Sequence, residues 1–453
     1  MSAAGQALPG PRGAPLLGTF LPFLQRDLLQ PFSQLVARYG PLFEVRLPLG
    51  HRLVMVAHPE AVEHVLRSGS ANYIKGSVYD GTRLLLGRGL VTGEGEHWRR
   101  QRELANPAFR PAQLEQYLAV MSDCTAQLLR DWQEMQNLAP VDAQHEMTRL
   151  TLAIVGRTLF GLDLSRHSER AADAFSVALA AIGRRGPSML QLPLWIPTPA
   201  NLRFRHSLRI LDDMIYEIIG SFRAGDSEHS GYTLLGAYMA SRDPLSGQGM
   251  DDRQLRDEVI TLYLAGHETT AGLLSRTLYL LSRHPVTRTR VITEIDSVLA
   301  GRKPSIERLK RLQFTSQVIN EVLRLYPPAW TIARNAVAED RIRGYRIRKG
   351  SIVMVSPYFT HRQEEFWPEP ERFDPDRFAP GRTSGRHPFA YLPFSLGPRV
   401  CIGMQFSLYE ARLVLGMLLR HFEPQPVPGD EVGSRAAGTL RPAGKLEIRL
   451  QRR

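Results

Sequence analysis

From Asp251 to Arg283 the chain runs 33 residues without a proline, and apolar residues return every three or four positions. That periodicity predicts one helix of about 50 Å at ~1.5 Å per residue, the longest in the protein. Asp251 or Asp252 can cap its start, and His284-Pro285 ends it. Similar spacing predicts helices over Leu114–Met135, Val141–Leu159, Ser168–Arg184 and Leu202–Ala224 upstream, and over Arg288–Leu299 and Phe314–Leu325 downstream. Short alternating runs predict strands at Phe43–Leu47 and Leu53–Val56 about a turn at Gly50, then around Asp340–Ile347 and Ile352–Ser356. The expected fold is mainly α with a small β portion. Without repeats, low-complexity tracts or a clean linker, a single domain over 1–453 is expected: a β-containing part to about 95, a helical core to about 330, and a C-terminal part.

Composition removes several classes. With 43% hydrophobic residues the chain has material for a large core and is not disordered. Cys124 and Cys401 are its only cysteines, which excludes a disulfide scaffold. No apolar run reaches the ~18 residues a membrane span needs. Met1–Pro11 has neither a basic nor an apolar leader region, so a cytoplasmic protein is expected. Net charge is +12, and only five of the 57 Lys and Arg are lysine. The basic residues form no block, so nucleic acid is not expected; acidic protein partners fit a dispersed excess better. Gly87-Arg88-Gly89-Leu90-Val91-Thr92 begins like a phosphate loop, but Thr92 takes the third glycine's place and no Walker sequence follows.

Two irregular stretches stand out. Pro187–Pro199 is apolar and proline-punctuated, suiting either a packed surface loop or a lid over a pocket mouth. Phe359–Pro398 is rich in Pro, Arg and Phe without periodicity, and aperiodic segments of such length are usually functional.

Just after the second stretch, Cys401 sits in Phe394-Ser395-Leu396-Gly397-Pro398-Arg399-Val400-Cys401-Ile402-Gly403, before a predicted helix Ile402–His421. Gly397-Pro398 forces a tight turn, and Gly403 permits close backbone approach. A sulfur at a helix N-terminus, with Arg399 nearby, is placed to be a thiolate. Three uses compete. An inert core cysteine does not need this turn chemistry. A nucleophile wants a positioned histidine, and His387 and His421 stand at no motif spacing. An axial ligand to haem iron needs one cysteine, a glycine-rich loop and cations for the propionates, which these residues fit best.

The string Phe394–Gly403 resembles the haem-binding signature of the cytochrome P-450 family, Phe-x-x-Gly-x-Arg-x-Cys-x-Gly, with every fixed position matched. The resemblance extends over essentially the whole chain. It implies that fold, with haem b between the long central helix and the helix after the cysteine loop. Cys401 becomes the axial iron ligand, with Phe394 and Gly403 shaping its loop; Cys124, mid-helix, is expected to be a core residue. Glu321-Val322-Leu323-Arg324 among apolar neighbours resembles the family's Glu-x-x-Arg, joined by Arg377 of Asp374-Pro375-Asp376-Arg377-Phe378, with Arg372 as the near-duplicate. Ala265-Gly266-His267-Glu268-Thr269-Thr270 resembles the family's acid–alcohol pair. A small-residue gap admits the ligand there, and Glu268 and Thr269 inherit the proton relay. Trp98 and Arg102, at i and i+4, resemble the propionate-binding Trp-x-x-x-Arg, with Arg334, Arg399 and His97 as further propionate contacts.

The implied activity is a monooxygenase inserting one atom of O2 into a small lipophilic molecule, of terpenoid, fatty-acid or polyketide kind. Val91, Leu262, Ala265, Ala329, Trp330, Ile332 and Leu440 are the expected pocket residues, by position. About thirty residues follow the last predicted helix, so electrons are expected from a separate ferredoxin or flavodoxin-type donor with its reductase. A peroxide-driven or isomerising relative is the nearer alternative, and a non-catalytic haem sensor or carrier the farther one.

Overall fold

In a computed structural model of the protein, described for residues 6–13, 19, 27–134, 140–163, 168–185, 193–225, 233–242, 247–429, 431–436 and 438–453, the long helix runs over Asp252–Arg283. Asp251 caps it, its carboxylate accepting from the Gln254 N–H at 2.7 Å. The helix passes through the interior and packs against Ala143–Val155, Pro199–Ala224, Gln313–Leu325 and Met404–His421. Its buried charges near the start are tied up: Arg256 donates to Asp212 at 2.8 Å and to Asp257 at 3.0 Å. Asp257 in turn accepts from the Arg88 N–H at 2.8 Å, and Glu258 from the Leu90 N–H at 3.0 Å. The two carboxylates therefore hold the Gly87–Thr92 loop against the helix. That contact explains the string's glycines. A Cβ at Gly87 would lie 2.0 Å from the Asp257 carboxylate, and one at Gly89 2.3 Å from the Thr261 hydroxyl.

Five strands form the main sheet, in the order Leu42–Arg46, Arg52–Val56, Ile352–Val355, Ile332–Ala336, Tyr73–Ile74. Arg52–Val56 and Ile352–Val355 run parallel, so one sheet draws from both ends of the chain. The Leu42–Val56 hairpin closes through Gly50 at φ +78°, near the predicted turn. Ile332–Ala336 is a strand the sequence pattern does not announce, because Arg334 takes an inward position between Ile332 and Ala336 and breaks the alternation. Near the chain end, Ser434–Ala436 and Leu440–Pro442 form a hairpin. Glu447–Arg452 pairs with both Phe422–Pro426 and Val141–Asp142. That last pairing delays the helix predicted from Val141 until Ala143.

The aperiodic stretch Phe359–Pro398 folds into short turns, Pro375–Phe378 and Pro388–Ala390 among them, around the fully buried Trp367. Of the apolar connector, residues 187–192 lie outside the described residues, and the lid expectation with them. The rest is fastened by Asn201, whose amide donates to the Pro193 and Ile196 carbonyls at 3.0 and 2.9 Å. Cys124 is buried in helix Pro111–Glu134, and burial pushes its thiol up to about 11. Among the described residues no helix is long and apolar enough to cross a membrane.

Candidate haem-thiolate site

The loop carrying Cys401 is a sharp reversal. Ser395 and Gly397 take φ of +60° and +76°, and the Cys401 N–H closes back onto the Phe394 carbonyl at 2.9 Å. A Cβ on Gly397 would meet the Leu66 carbonyl oxygen at 2.0 Å, so only glycine fits there. Gly403 is different: a Cβ would meet only Phe109, at an ordinary 3.8 Å. Nothing in the polypeptide requires glycine at 403, whereas a flat group lying against the loop would.

Cys401 is itself exposed on its open side. The protein massed behind it pushes the thiol above its ordinary value, although the Gly403 N–H and Arg102 pull the other way. The sequence expectation of Arg399 beside the sulfur is corrected here. Arg399 turns away, donating to the Gly93 carbonyl at 2.9 Å and to Glu94 at 3.1 Å. Arg102 is the cation that acts on the sulfur, and its guanidinium donates to the Val400 carbonyl at 2.8 Å. Trp98 lies beneath Arg399, the guanidinium 3.7 Å from the ring centre. Both members of the Trp-x-x-x-Arg pair thus grip the cysteine loop. His97 instead pairs with the Arg88 carbonyl at 2.8 Å.

Next to this loop, a cavity of about 420 Å³ is lined by Trp98, Glu94, Arg334 and Arg399. Lys75 belongs to the same cluster and is absent from the sequence expectations. It is buried, and its ammonium donates to the Val91 carbonyl. Burial first, then Arg399 and Arg334, hold Lys75 well below the usual lysine range. Burial also pulls Arg399 down to about 10, opposed by Glu94 and reinforced by Arg334. Three buried or half-buried cations, Lys75, Arg334 and Arg399, gather near one carboxylate, Glu94, which accepts from the Arg399 guanidinium and from the Lys75 backbone N–H. A surplus of desolvated positive charge calls for anions, and a dicarboxylate macrocycle seated on the exposed Cys401 supplies two. The donor set fits haem b.

The middle of the long helix opens to space at one stretch. Ala265 is exposed, and Leu264, Gly266, Glu268 and Thr269 around it are half-buried. The small-residue gap needs correcting in detail. The missing Cβ of Gly266 faces Val155, at 2.9 Å, so that glycine serves helix packing. His267 is a core residue: buried, its Nδ1 2.5 Å from the Tyr263 carbonyl, its ring edge-on to Tyr263. Among the expected pocket residues, Val91, Ala265 and Ala329 reach open space. Leu262, Ile332 and Trp330 are buried, the first two within the packed cores and Trp330 with its ring 6.3 Å from that of Phe32. Leu440 is buried beside Trp330 and borders a second cavity of about 270 Å³ with Glu268.

Behind the cysteine loop lies a network without solvent exposure. Glu321 takes Arg324 Nε and Nη2 at 2.7 and 2.8 Å, both side chains fully buried. Arg377 stands 3.5 Å from the same carboxylate, while Arg372 is exposed and pairs with Glu369. Arg324 also donates to the carbonyls of His361, Pro370 and Arg372. His361 Nε2 lies 2.9 Å from the Leu392 N–H and must accept from it. The ring proton therefore sits on Nδ1 and goes to the Arg324 carbonyl. Burial above all, with the charges of Arg324 and Arg362, pushes His361 down to about 3 from an ordinary 6.5. Its folded value lies below the unfolded one, so the unfolded chain binds more protons between the two, and stability present above pH 6.5 is lost as pH falls. Denaturant midpoints should therefore drop from neutrality to about pH 5, and His361→Asn should flatten that slope. An unchanged slope in the variant would assign the acid sensitivity to other groups.

An exposed cysteine on a glycine turn, with a cation-lined cavity bordered by Leu396, Pro398 and Arg399 of the same loop, fits a haem-thiolate protein. A family model described as cytochrome P-450 matches residues 8–449. Cyclooctatin synthase of Streptomyces melanosporofaciens is 36% identical over 97% of this chain and 94% of its own length. Cyclooctat-9-en-7-ol 5-monooxygenase of the same organism is 34% identical over 92% and 90%. Pentalenene oxygenase of Streptomyces avermitilis is 34% identical over 98% and 97%. The chain belongs to the cytochrome P-450 family. It is a haem-thiolate monooxygenase that binds haem b, uses O2 with electrons from a redox partner, and acts on a lipophilic substrate.

Proposed function

We propose that the protein oxidises a cyclic lipophilic molecule of the terpenoid kind. The observation that carries this reading is the end-to-end similarity to relatives named for cyclooctatin, cyclooctat-9-en-7-ol and pentalenene. Val91, Ala265 and Ala329, which are small, apolar and exposed, agree with it. In this reading Cys401 would hold the haem iron, Lys75, Arg334 and Arg399 would hold the propionates, and Trp98 and Arg102 fix the loop. The haem, when bound, supplies the dioxygen chemistry. Thr269 presents a hydroxyl at the gap, and Glu268 connects it to water. A separate ferredoxin or flavodoxin-type donor with its reductase supplies electrons in the cytoplasm, steered by the basic surplus.

Binding is tested by adding pentalenene, cyclooctat-9-en-7-ol and a long-chain fatty acid separately to the holoenzyme and reading the haem spectrum. A spin-state shift with either cyclic compound and none with the fatty acid is expected; the reverse pattern overturns the substrate class. Thr269→Ala tests the relay. With a surrogate ferredoxin system, product per NADPH consumed should fall by roughly tenfold or more while NADPH consumption continues. Unchanged product yield would remove Thr269 from the reaction, and turnover on peroxide alone would favour the peroxide-driven alternative.

A further inference from the structure

The carboxylate on which that relay rests is turned elsewhere. Glu268 Oε1 accepts from Arg441 Nε at 2.7 Å, from Nη2 at 2.6 Å, and from the Thr439 hydroxyl. Thr269 donates its hydroxyl proton to the Ala265 carbonyl at 2.9 Å. Both members of the acid–alcohol pair are thus occupied, and not with each other.

Arg441 and Thr439 belong to the hairpin Ser434–Ala436/Leu440–Pro442, whose backbone is firmly tied. Arg276, two turns beyond Glu268 on the long helix, donates to the Val432 and Gly433 carbonyls at 2.8 and 2.7 Å and to the Ser434 hydroxyl at 3.1 Å. The Leu440 N–H donates to the Pro328 carbonyl at 2.9 Å. With the backbone held, the side chains are the parts free to move. Arg441 is 30% exposed and grips a single carboxylate oxygen, a weaker hold than the paired fork that buried arginines make. The 270 Å³ cavity is lined by Glu268, Thr439 and Arg441 together, and it leaves them room to part.

We propose that Arg441, assisted by Thr439, is a positioning residue that parks the Glu268 carboxylate on the C-terminal hairpin. Parked there, the acid passes no proton toward the gap, either through Thr269 or through water, until the pair separates; losing the Thr269 hydroxyl alone is a lesser block, because a freed Glu268 can still protonate through water and let NADPH consumption continue. The resting enzyme is thereby protected from reducing O2 without a substrate. This inference rests on the Glu268–Thr269 relay proposed above.

The test uses holoenzyme with no substrate added, a surrogate ferredoxin and reductase, and NADPH consumption as readout. Arg441→Gln should raise that consumption roughly 3- to 10-fold, the range expected when two contacting residues are uncoupled. Arg441→Lys, which keeps the charge, should stay near the parent rate, and Thr439→Val should give a smaller rise. In a Glu268→Gln background the Arg441→Gln effect should vanish, because the arginine acts only through that acid. A crystal structure of the Arg441→Gln holoenzyme should show the Glu268 carboxylate turned off the hairpin. No rise, an equal rise in both backgrounds, or a carboxylate still on the hairpin overturns the parking role. If Glu268→Gln alone leaves product per NADPH unchanged with substrate present, the underlying relay is what fails.

Discussion

Glu321→Gln should destabilise the folded protein by about 3–5 kcal/mol, the usual cost of removing one partner of a buried ion pair. The carboxylate has no solvent exposure and accepts from Arg324 twice, from the Asp374 N–H at 2.9 Å, and lies 3.5 Å from Arg377. Burial alone would push Glu321 up, and Arg324, Asp374 and Arg377 work against that. Neutralising it leaves the Arg324 guanidinium buried with only backbone carbonyls to offset its charge. Those carbonyls belong to His361, Pro370 and Arg372, in the segment leading to the cysteine loop, so haem retention should fall along with stability. Arg372→Ala is the matched control. Its side chain is exposed and pairs with an exposed Glu369, so its effect should stay within about 0.5 kcal/mol. Chemical denaturation of the two variants settles the matter: equal midpoints would mean that the buried pair contributes nothing the exposed pair does not.

What the sequence made legible follows a physical line. The long helix was readable because helical periodicity is local, and its cap at Asp251 is local too. The cysteine loop was readable because φ values of the kind found at Gly397 admit few residues, so the turn leaves a mark in the string itself. The Glu321–Arg324 pair, three residues apart, met as a helix requires. Partners distant in sequence left no such mark. Lys75 meets Arg399 across 324 residues through the sheet and the loop, and only its rarity (one of five lysines) could have flagged it. Arg441 meets Glu268 because a hairpin at the chain end folds back over the long helix. Arg399 was placed beside the sulfur because it is two residues away, yet a turn sends adjacent side chains in different directions, and Glu94 captures it. Gly266 was read as a gap for a ligand when its open side meets Val155. Residue type suggested the chemistry in these cases; direction had to come from packing.

Cys401→Ala should leave the fold nearly intact and abolish the haem-thiolate signature. The loop does not depend on the sulfur. Its reversal is set by Ser395 and Gly397, its closure by the Cys401 N–H on the Phe394 carbonyl, and its anchorage by Arg102 on the Val400 carbonyl. Alanine satisfies all of these, and an exposed residue leaves no cavity behind. Denaturation should therefore shift by less than about 1 kcal/mol. The lost ligand is another matter. Outer-shell partners of metal ligands cost about 10- to 100-fold when removed, and the ligand itself should cost more, both in haem affinity and in product formed. Cys124→Ala supplies the opposite pattern. That thiol is buried in the helical core, so the variant should lose stability and keep its optical spectrum. If Cys401→Ala showed the parent spectrum, or Cys124→Ala lost it, the iron would have to be held from some other side chain, and the cation-lined cavity beside the loop would need a different occupant.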